Sequence, residues 1–430
     1  MTSIVSDIKL PMPYKYEEKI LTKFEDLNEK GKKIFDSLWG YPEMESIFYL
    51  YLFKKYKSNC FLYSDVDDDD FRFFGLTINI KSNQSKSNTR LFNTHINSMA
   101  NSFTECVLRN VKTIIVPIVI YDNKDVIHAN VLIYRKKFNQ IEHFEPHGNY
   151  YMGDEKLANK IKVNISKFVS KVNSILKENG KSEINYIPSE QICPTEEGLQ
   201  ALEGMSTLPS NEYDDAGYCL PWSMFFTELC LANPTIESSK LFDIITNYFE
   251  NKTNVEDYLR KVIRGYTFFI DEKVTKYLSI ILGETITLKT IHKINQDFVN
   301  NVGKIGQIRH LIRELIKLEI DMLKDPDFNL EKEFKSVKSE LRKKDRKDDF
   351  YLLLKKKVME NYEKFNNFTP VTTKGTSELE KSTRKHDSES IVEKKCPEGK
   401  VLNPKTKRCN KIKTNTKTKK NKSSVTFQTI

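Results

Sequence analysis

The sequence predicts an α+β fold in which a central sheet lies between helical regions. Between Lys112 and Phe144 the chain is dominated by β-branched and aromatic residues broken by hairpin chemistry. On either side of that stretch apolar residues recur at helical spacing. A composition of 39% apolar residues with 11% aromatics over 430 residues fills a sizeable core.

Residues 17–57 read as helices. Glu17 to Gly31 is charged and free of breakers until its end; Ile34, Phe35, Leu38 and Trp39 share one side; and Met44 to Lys57 resumes after Gly40-Tyr-Pro42. Residues 61–81 mix aromatic and aliphatic groups with the acidic block Asp65-Val-Asp-Asp-Asp-Asp70. That block lacks the turn glycine and terminal glutamate of an EF-hand loop, so it reads as a solvated acidic turn rather than a calcium site. Leu91 to Leu108 reads as an amphipathic helix burying Phe92, Ile96, Met99, Phe103 and Val107, with His95 and Cys106 as packing residues.

Three strands follow: Thr113 to Tyr121, apolar enough to be buried on both faces, Ile127 to Tyr134, and Gln140 to Phe144, the last two joined by the hairpin Arg135–Asn139. Glu155 to Glu178 is a helix with Leu157, Ile161, Ile165, Val169, Val172 and Leu176 on one face, stopped by Asn179-Gly180. A short strand is expected near Ile184–Ile187, then a long loop over Pro188 to Gly217. Tyr218 to Ala232 is a helix ended by Asn233-Pro234. Residues 236–366 read as mostly helical, with Ile308, Leu311, Leu315, Leu318 and Met322 as a core stripe.

The net charge of +10 is not spread over the chain. Residues 371–430 hold 16 Lys and Arg against 6 Asp and Glu, which leaves 53 against 53 in residues 1–370. A neutral body with a basic, Ser/Thr-rich tail argues against a nucleic-acid-binding body and points to a disordered terminus. Seven scattered cysteines without a CxxC pair suggest neither a dense disulfide framework nor a zinc ribbon, and fit a reducing compartment. Met1 to Lys15 has no apolar core of a secretory signal, and the apolar run Ile114–Tyr121 is too short to span a membrane. Nothing in the sequence calls for a cofactor.

The chemistry lies in three groups: His128 on the second strand, Glu145 at the end of the third, and Cys219 at the start of a helix. A thiolate can attack a carbonyl while an imidazole handles the proton and a carboxylate fixes the ring's tautomer. Antiparallel neighbours bring the His128 end of one strand beside the Glu145 end of the next. A helix start favours the thiolate through its open N–H groups and dipole. The residues therefore read as a cysteine hydrolase with a His128, Glu145 and Cys219 triad.

His128-Ala-Asn-Val-Leu-Ile, a basic hairpin, and Phe-Glu145-Pro-His-Gly148, followed by Gly217-Tyr-Cys219-Leu-Pro-Trp222, resemble the His, acid, Cys order of SUMO-specific and adenovirus-type cysteine proteases. With Gly198-Leu-Gln200 added, the set resembles protease-like proteins of nucleocytoplasmic large DNA viruses. The resemblance covers roughly residues 90–235. It implies a papain-like cysteine protease core, a mixed or antiparallel sheet with a helix-borne Cys, flanked by helical regions. It implies as partners protein substrates, either viral structural precursors or ubiquitin-like conjugates, and the host cytoplasm or the virion as location.

The chain departs from the SUMO protease pattern at Ala129, where Trp is usual, at Tyr218 and Leu220 beside the nucleophile, and at Tyr213, where the oxyanion-stabilising Gln would fall. Gln200 is the candidate replacement and Gln191 the reserve, with the backbone N–H of Cys219 as second donor. Asn130 and Trp222 are expected to orient ring or substrate, Trp222 serving equally well as core.

A zinc site is the rival chemistry: His143, Glu145 and His147 alternate along a strand, and His128 and Cys219 complete a tetrahedron. Pro146 and Gly148 end the strand there, so no metal is expected. The alternatives to a peptidase are an acyltransferase on the same triad and a catalytically silent virion or scaffold protein binding partners through its helices and tail.

Four regions are expected: residues 1–60 helical, 61–235 protease-like, 236–366 helical, and 367–430 a basic disordered tail. That tail carries a Cys396 to Cys409 loop, open to a local disulfide, and the basic stretch 394–422, suited to nucleic acid or acidic surfaces.

Overall fold

A run apolar at every position, Ile114-Ile-Val-Pro-Ile-Val-Ile120, cannot face water on either side, and the structure places it at the centre of a mixed sheet covered on both faces. The structure is a computed structural model, and it describes residues 8, 9, 11, 42–56, 59–62, 75–79, 86–122, 125–148, 155–193, 197–206, 218–250, 254–282, 285, 314, 315, 317–319, 322, 327–366, 400–402 and 409–411. The chain divides into two units, Met1–Thr372 and Thr373–Ile430.

In chain order the first unit contains α1 (Pro42–Lys55), β1 (Asn59–Phe61), β2 (Leu76–Asn79), α2 (Lys86–Leu108), β3 (Thr113–Asp122), β4 (Asp125–Arg135), β5 (Gln140–Phe144), α3 (Glu155–Glu178) and β6 (Asn185–Ile187). It continues with α4 (Ser189–Ile192), α5 (Leu199–Gly204), α6 (Cys219–Ala232), α7 (Ser238–Glu250), α8 (Val255–Leu282), α9 (Leu330–Leu341) and α10 (Phe350–Asn366). The second unit contains an antiparallel pair, β7 (Lys400–Leu402) and β8 (Cys409–Lys411).

The architecture is mixed α/β. The six-stranded sheet runs β1, β3, β4, β5, β6, with β2 alongside β3 as well. Both β1 and β2 are parallel to β3, β1 against Thr113–Ile115 and β2 against Ile118–Tyr121. The hairpins β3/β4 and β4/β5 are antiparallel, in registers that set Ile120 against His128 and Val131 against Phe144. A register shift follows Ile120, just beyond the His128 position, where a bulge re-aims the end of the strand.

One face of the sheet, with Ile114, Val116, Ile118, Ile120 and Leu132, packs on Met99 and Phe103 of α2 and Ile161, Ile165, Phe168 and Val172 of α3. From Ile96 on in α2 and from Ile161 on in α3 the predicted apolar stripe faces inward. The other face, with Ile115, Val131, Ile133 and Phe144, carries α6 under a roof of α1, α7 and α8. α6 is apolar nearly all round and buried from Pro221 to Leu231, as a helix inside a core must be. Phe226 stacks on Phe144 with ring centroids 4.0 Å apart.

Charge inside this core is paired. Glu228 of α6 accepts from Lys55 Nζ at 2.6 Å and from Tyr266 Oη at 2.9 Å, joining α6 to α1 and α8. Arg135 and Glu142 form a two-pronged pair at 2.7 and 3.0 Å across the β4/β5 hairpin, and Ser238 donates to the same carboxylate at 2.7 Å. That network fixes the loop after α6 against the sheet.

Several expectations change here. Instead of one long loop over 188–217, Ser189–Ile192 and Leu199–Gly204 are short helices. β1 and β2 were not foreseen, because three- and four-residue strands beside a parallel partner carry little local pattern. Cys106, expected only to pack, is disulfide-bonded to Cys60, their Cα atoms 6.1 Å apart, which ties β1 to the end of α2. The helices expected over 17–41, the acidic block Asp65–Asp70, the core positions Ile308 and Leu311, and Cys396 all lie outside the described residues, as does nearly all of the basic stretch 394–422. No described helix is long and apolar enough to cross a membrane.

Candidate active site

The site is built on adjacent strands. His128 and Asn130 lie two residues apart on β4, and their antiparallel partners continue past the end of β5 into Glu145-Pro-His147. His128 Nε2 is 2.6 Å from Glu145 Oε1, and both side chains are buried. Asn130 Nδ2 donates to Oε2 of the same carboxylate at 2.9 Å, and the backbone N–H of His147 donates to Oε1 at 3.1 Å. Glu145 thus has a donor on each oxygen and two on one of them.

These contacts decide where charge resides. Burial alone would raise the Glu145 pKa, but the neighbouring His128 charge and the donated hydrogen bonds hold it below the usual carboxylate range. Burial alone would lower the pKa of His128. The Glu145 charge, the Glu145 hydrogen bond and the neighbouring Cys219 sulfur outweigh it and push His128 up to about 10. The buried pair is an imidazolium and a carboxylate.

Cys219 opens α6 and is a free, half-buried thiol. The residue before it, Tyr218, gives no side-chain cap; Pro221 has no N–H and Trp222 N donates to Tyr218 O at 2.9 Å, which leaves the Cys219 and Leu220 N–H groups of the first turn beside the sulfur. The helix is aimed by Ser223, one turn on and therefore on the same side as Cys219. Ser223 Oγ donates to the backbone carbonyl of Ala129 at 3.3 Å, between His128 and Asn130. His128 Nδ1, across the ring from Glu145, is buried with no hydrogen-bond partner among the described residues, while Cys219 is one of the groups acting on that ring. Among the described residues the other free cysteines are held as thiols: burial pushes Cys193 well above its usual range and Cys230 up to about 11.

No protein-family model matches the chain. No curated protein matches it. Among solved structures it is similar to the SUMO protease Ulp1 with the catalytic cysteine oxidised to a sulfenic acid. That likeness has 11% identity, covers 61% of this chain and 97% of that one, and has a TM-score of 0.28. At such values the likeness carries nothing further, and the site is read from its own residues.

The structure brings Gln200 to the site by its backbone, whose N–H donates to Pro146 O at 3.0 Å. Its side chain is buried, with Oε1 unpartnered among the described residues. Gln191 lies on the exposed side of α4. Trp222 is fully buried against Phe225, with Nε1 unpartnered among the described residues, so it packs in the core beneath the nucleophile rather than forming an open wall. Asn130 acts on the ring at one remove, through Glu145. Among the described residues no cluster of His, Cys, Asp or Glu is arranged to hold a metal ion, and the three donors on Glu145 occupy the oxygens that a metal would need.

Two residues at the site, Ser223 and Gly198, have no role in the sequence reading, and His147 has one there only as a rival zinc ligand. His147 sits with its ring 5.2 Å from that of His128, and burial lowers its pKa to about 4, so it is a neutral neighbour. Ser223 fixes the helix to the strand. Gly198 lies so close to the Pro146–Gly148 backbone that a Cβ would fall 2.3 Å from Pro146 O. Only the Gly-Leu-Gln motif hinted at that last contact.

Proposed function

We propose that this chain is a cysteine peptidase with Cys219 as nucleophile, His128 as acid and base, and Glu145, held by Asn130, as the group that orients the ring. The observation that carries this reading is the buried 2.6 Å pair of His128 and Glu145 with a free, half-buried Cys219 acting on the same imidazole. Nε2 is committed to Glu145, which leaves Nδ1 to exchange a proton with Cys219 Sγ.

In the first half-reaction Cys219 attacks the scissile carbonyl as the thiolate, its proton held on His128 as the imidazolium, and the sulfur forms a C–S bond. The oxyanion is met by the Cys219 backbone N–H and by the Gln200 amide, a second donor contributing roughly 3 kcal/mol. The amine leaves with the proton from His128. A water molecule, deprotonated by His128, then attacks the thioester, and the thiolate leaves as the acid departs, with His128 an imidazolium again. Ubiquitin-like conjugates or viral structural precursors, cut after small residues that pass a narrow cleft, are the proposed substrates; this assignment rests on the sequence resemblance.

An electrophilic activity probe tests the site, comparing the full chain with Cys219→Ala and His128→Ala and mapping the adduct by mass spectrometry. Labelling at Cys219 that His128→Ala slows supports the peptidase. A Cys219 that reacts no faster than a small-molecule thiol, whatever stands at position 128, sinks it. Ubiquitin-like proteins carrying a C-terminal electrophile then address the substrate class.

A further inference from the structure

α5 has six residues, too few to persist as a helix without external support. Its first turn is bound to the turn after β5: Gly198 N donates to His147 O at 2.9 Å and Gln200 N to Pro146 O at 3.0 Å. Its last turn is bound to α8. Glu203, buried, accepts from Arg260 Nε at 2.6 Å, and Arg260 Nη2 donates to the Glu203 backbone carbonyl at 3.2 Å. The contact at Gly198 is backbone against backbone with no room for a Cβ, so a displacement of α5 is passed on to the turn rather than absorbed. That turn supplies Glu145 and the His147 N–H that donates to it.

We infer that Arg260 is a positioning residue for Glu145, acting through Glu203 and α5, so that helix α8 sets the geometry of the candidate triad from outside it. The inference rests on the peptidase reading for its consequence in catalysis, but the placement of Glu145 is measurable without it. A buried Arg with two donors on one residue fixes direction as well as distance, which a single contact would not do. The chain of contacts is continuous: Arg260, Glu203, the α5 backbone, the carbonyls of Pro146 and His147, and the Glu145 carboxylate. The titratable groups beside His128 include Glu145, Cys219, His143 and His147.

The test is an NMR titration of the histidines in the full chain, with His128 assigned by the loss of its signal in His128→Asn. Cys219 alkylation and thermal melting are measured on the same samples. Arg260→Met is expected to lower the His128 midpoint by about one pH unit, a tenfold loss of proton affinity, and Arg260→Lys, which keeps one donor, to lower it less. If Arg260→Met does not fold, Glu203→Gln, which keeps the volume and removes the charge, is read in the same way. A fall in melting temperature with the His128 midpoint unmoved overturns the inference and leaves the pair as a structural tie. Failure of the peptidase reading looks different: alkylation of Cys219 would not respond to His128→Asn, whatever the titration of Arg260→Met shows.

Discussion

Ser223 hydrogen-bonds the carbonyl of Ala129, and this contact couples the helix that bears Cys219 to the strand that bears His128. Helical geometry puts residues 219 and 223 on one side, so a single bond sets both the depth and the rotation of α6 over β4. Thr227, a turn further, bonds back to Ser223 O at 2.7 Å and continues the polar seam in an otherwise apolar helix. Ser223→Ala is expected to cost about 1 kcal/mol of stability, the worth of one such bond. Its effect on probe labelling of Cys219 is expected to be larger, roughly tenfold, because reactivity depends on placement more steeply than stability does. Chemical denaturation and labelling rates check the two. Equal, small losses in both would reduce Ser223 to a packing residue.

The charge on His128 depends on Glu145. Glu145→Gln keeps the shape and removes the negative charge, after which burial, the largest influence on the imidazole, is opposed mainly by Cys219. Since burial lowers a histidine pKa, His128 in this variant is expected to titrate below its ordinary 6.5 rather than near 10. At neutral pH the ring would then be neutral, and labelling of Cys219 should slow. Histidine NMR reads the midpoint directly, and a midpoint that stays high would mean that Glu145 is not the source of the raised affinity.

Much of this was legible in the sequence because local pattern and global fold agree there. The β-branched run after Lys112 is the sheet centre, and the stripe from Ile161 to Leu176 is the buried face of α3. His128 and Glu145 lie at strand ends, positions that the hairpin register converts into neighbours 2.6 Å apart. What escaped depends on distant parts of the chain. β1 and β2 exist through parallel pairing with β3. Glu203 reads as one charge among many until Arg260, 57 residues on, is packed against it. Ser223 and Gly198 are small residues whose use lies wholly in what approaches them.

Gly198 offers a direct test of the close approach. A Cβ there would lie 2.3 Å from Pro146 O and 2.4 Å from Gly148 N, both backbone atoms with no rotamer to yield. Gly198→Ala is therefore expected to cost about 1–3 kcal/mol through overpacking and to displace the turn that carries Glu145. Gly204, at the other end of α5, has nothing within 4 Å of its would-be Cβ, so Gly204→Ala is expected to be neutral or mildly stabilising. Melting curves of the two variants should separate cleanly, and equal behaviour would refute the steric account.

Stability should fall on both sides of neutrality, for opposite reasons. His95 and His143 are buried, and burial lowers each pKa from 6.5 to about 4. His95 uses its neutral form, since Nε2 accepts a hydrogen bond from Thr77 N at 3.1 Å, linking α2 to β2. Below pH 6.5 the unfolded chain takes up protons that these folded histidines refuse. Their contribution is therefore present above 6.5 and lost as the pH falls towards 4. His128 has the reverse sign: its folded pKa is raised, so its contribution is full below 6.5 and is lost as the pH rises through about 10. Denaturation measured across this range should show a maximum near pH 6.5, the acid side falling by at most about 1.4 kcal/mol per pH unit for each histidine. His95→Gln keeps an acceptor for Thr77 and cannot titrate, so it is expected to flatten the acid limb and leave the alkaline limb unchanged. Glu145→Gln should flatten the alkaline limb instead, because it removes the charge that raises His128. If both variants keep the wild-type profile, the pH dependence arises from other groups and the histidine assignments are wrong.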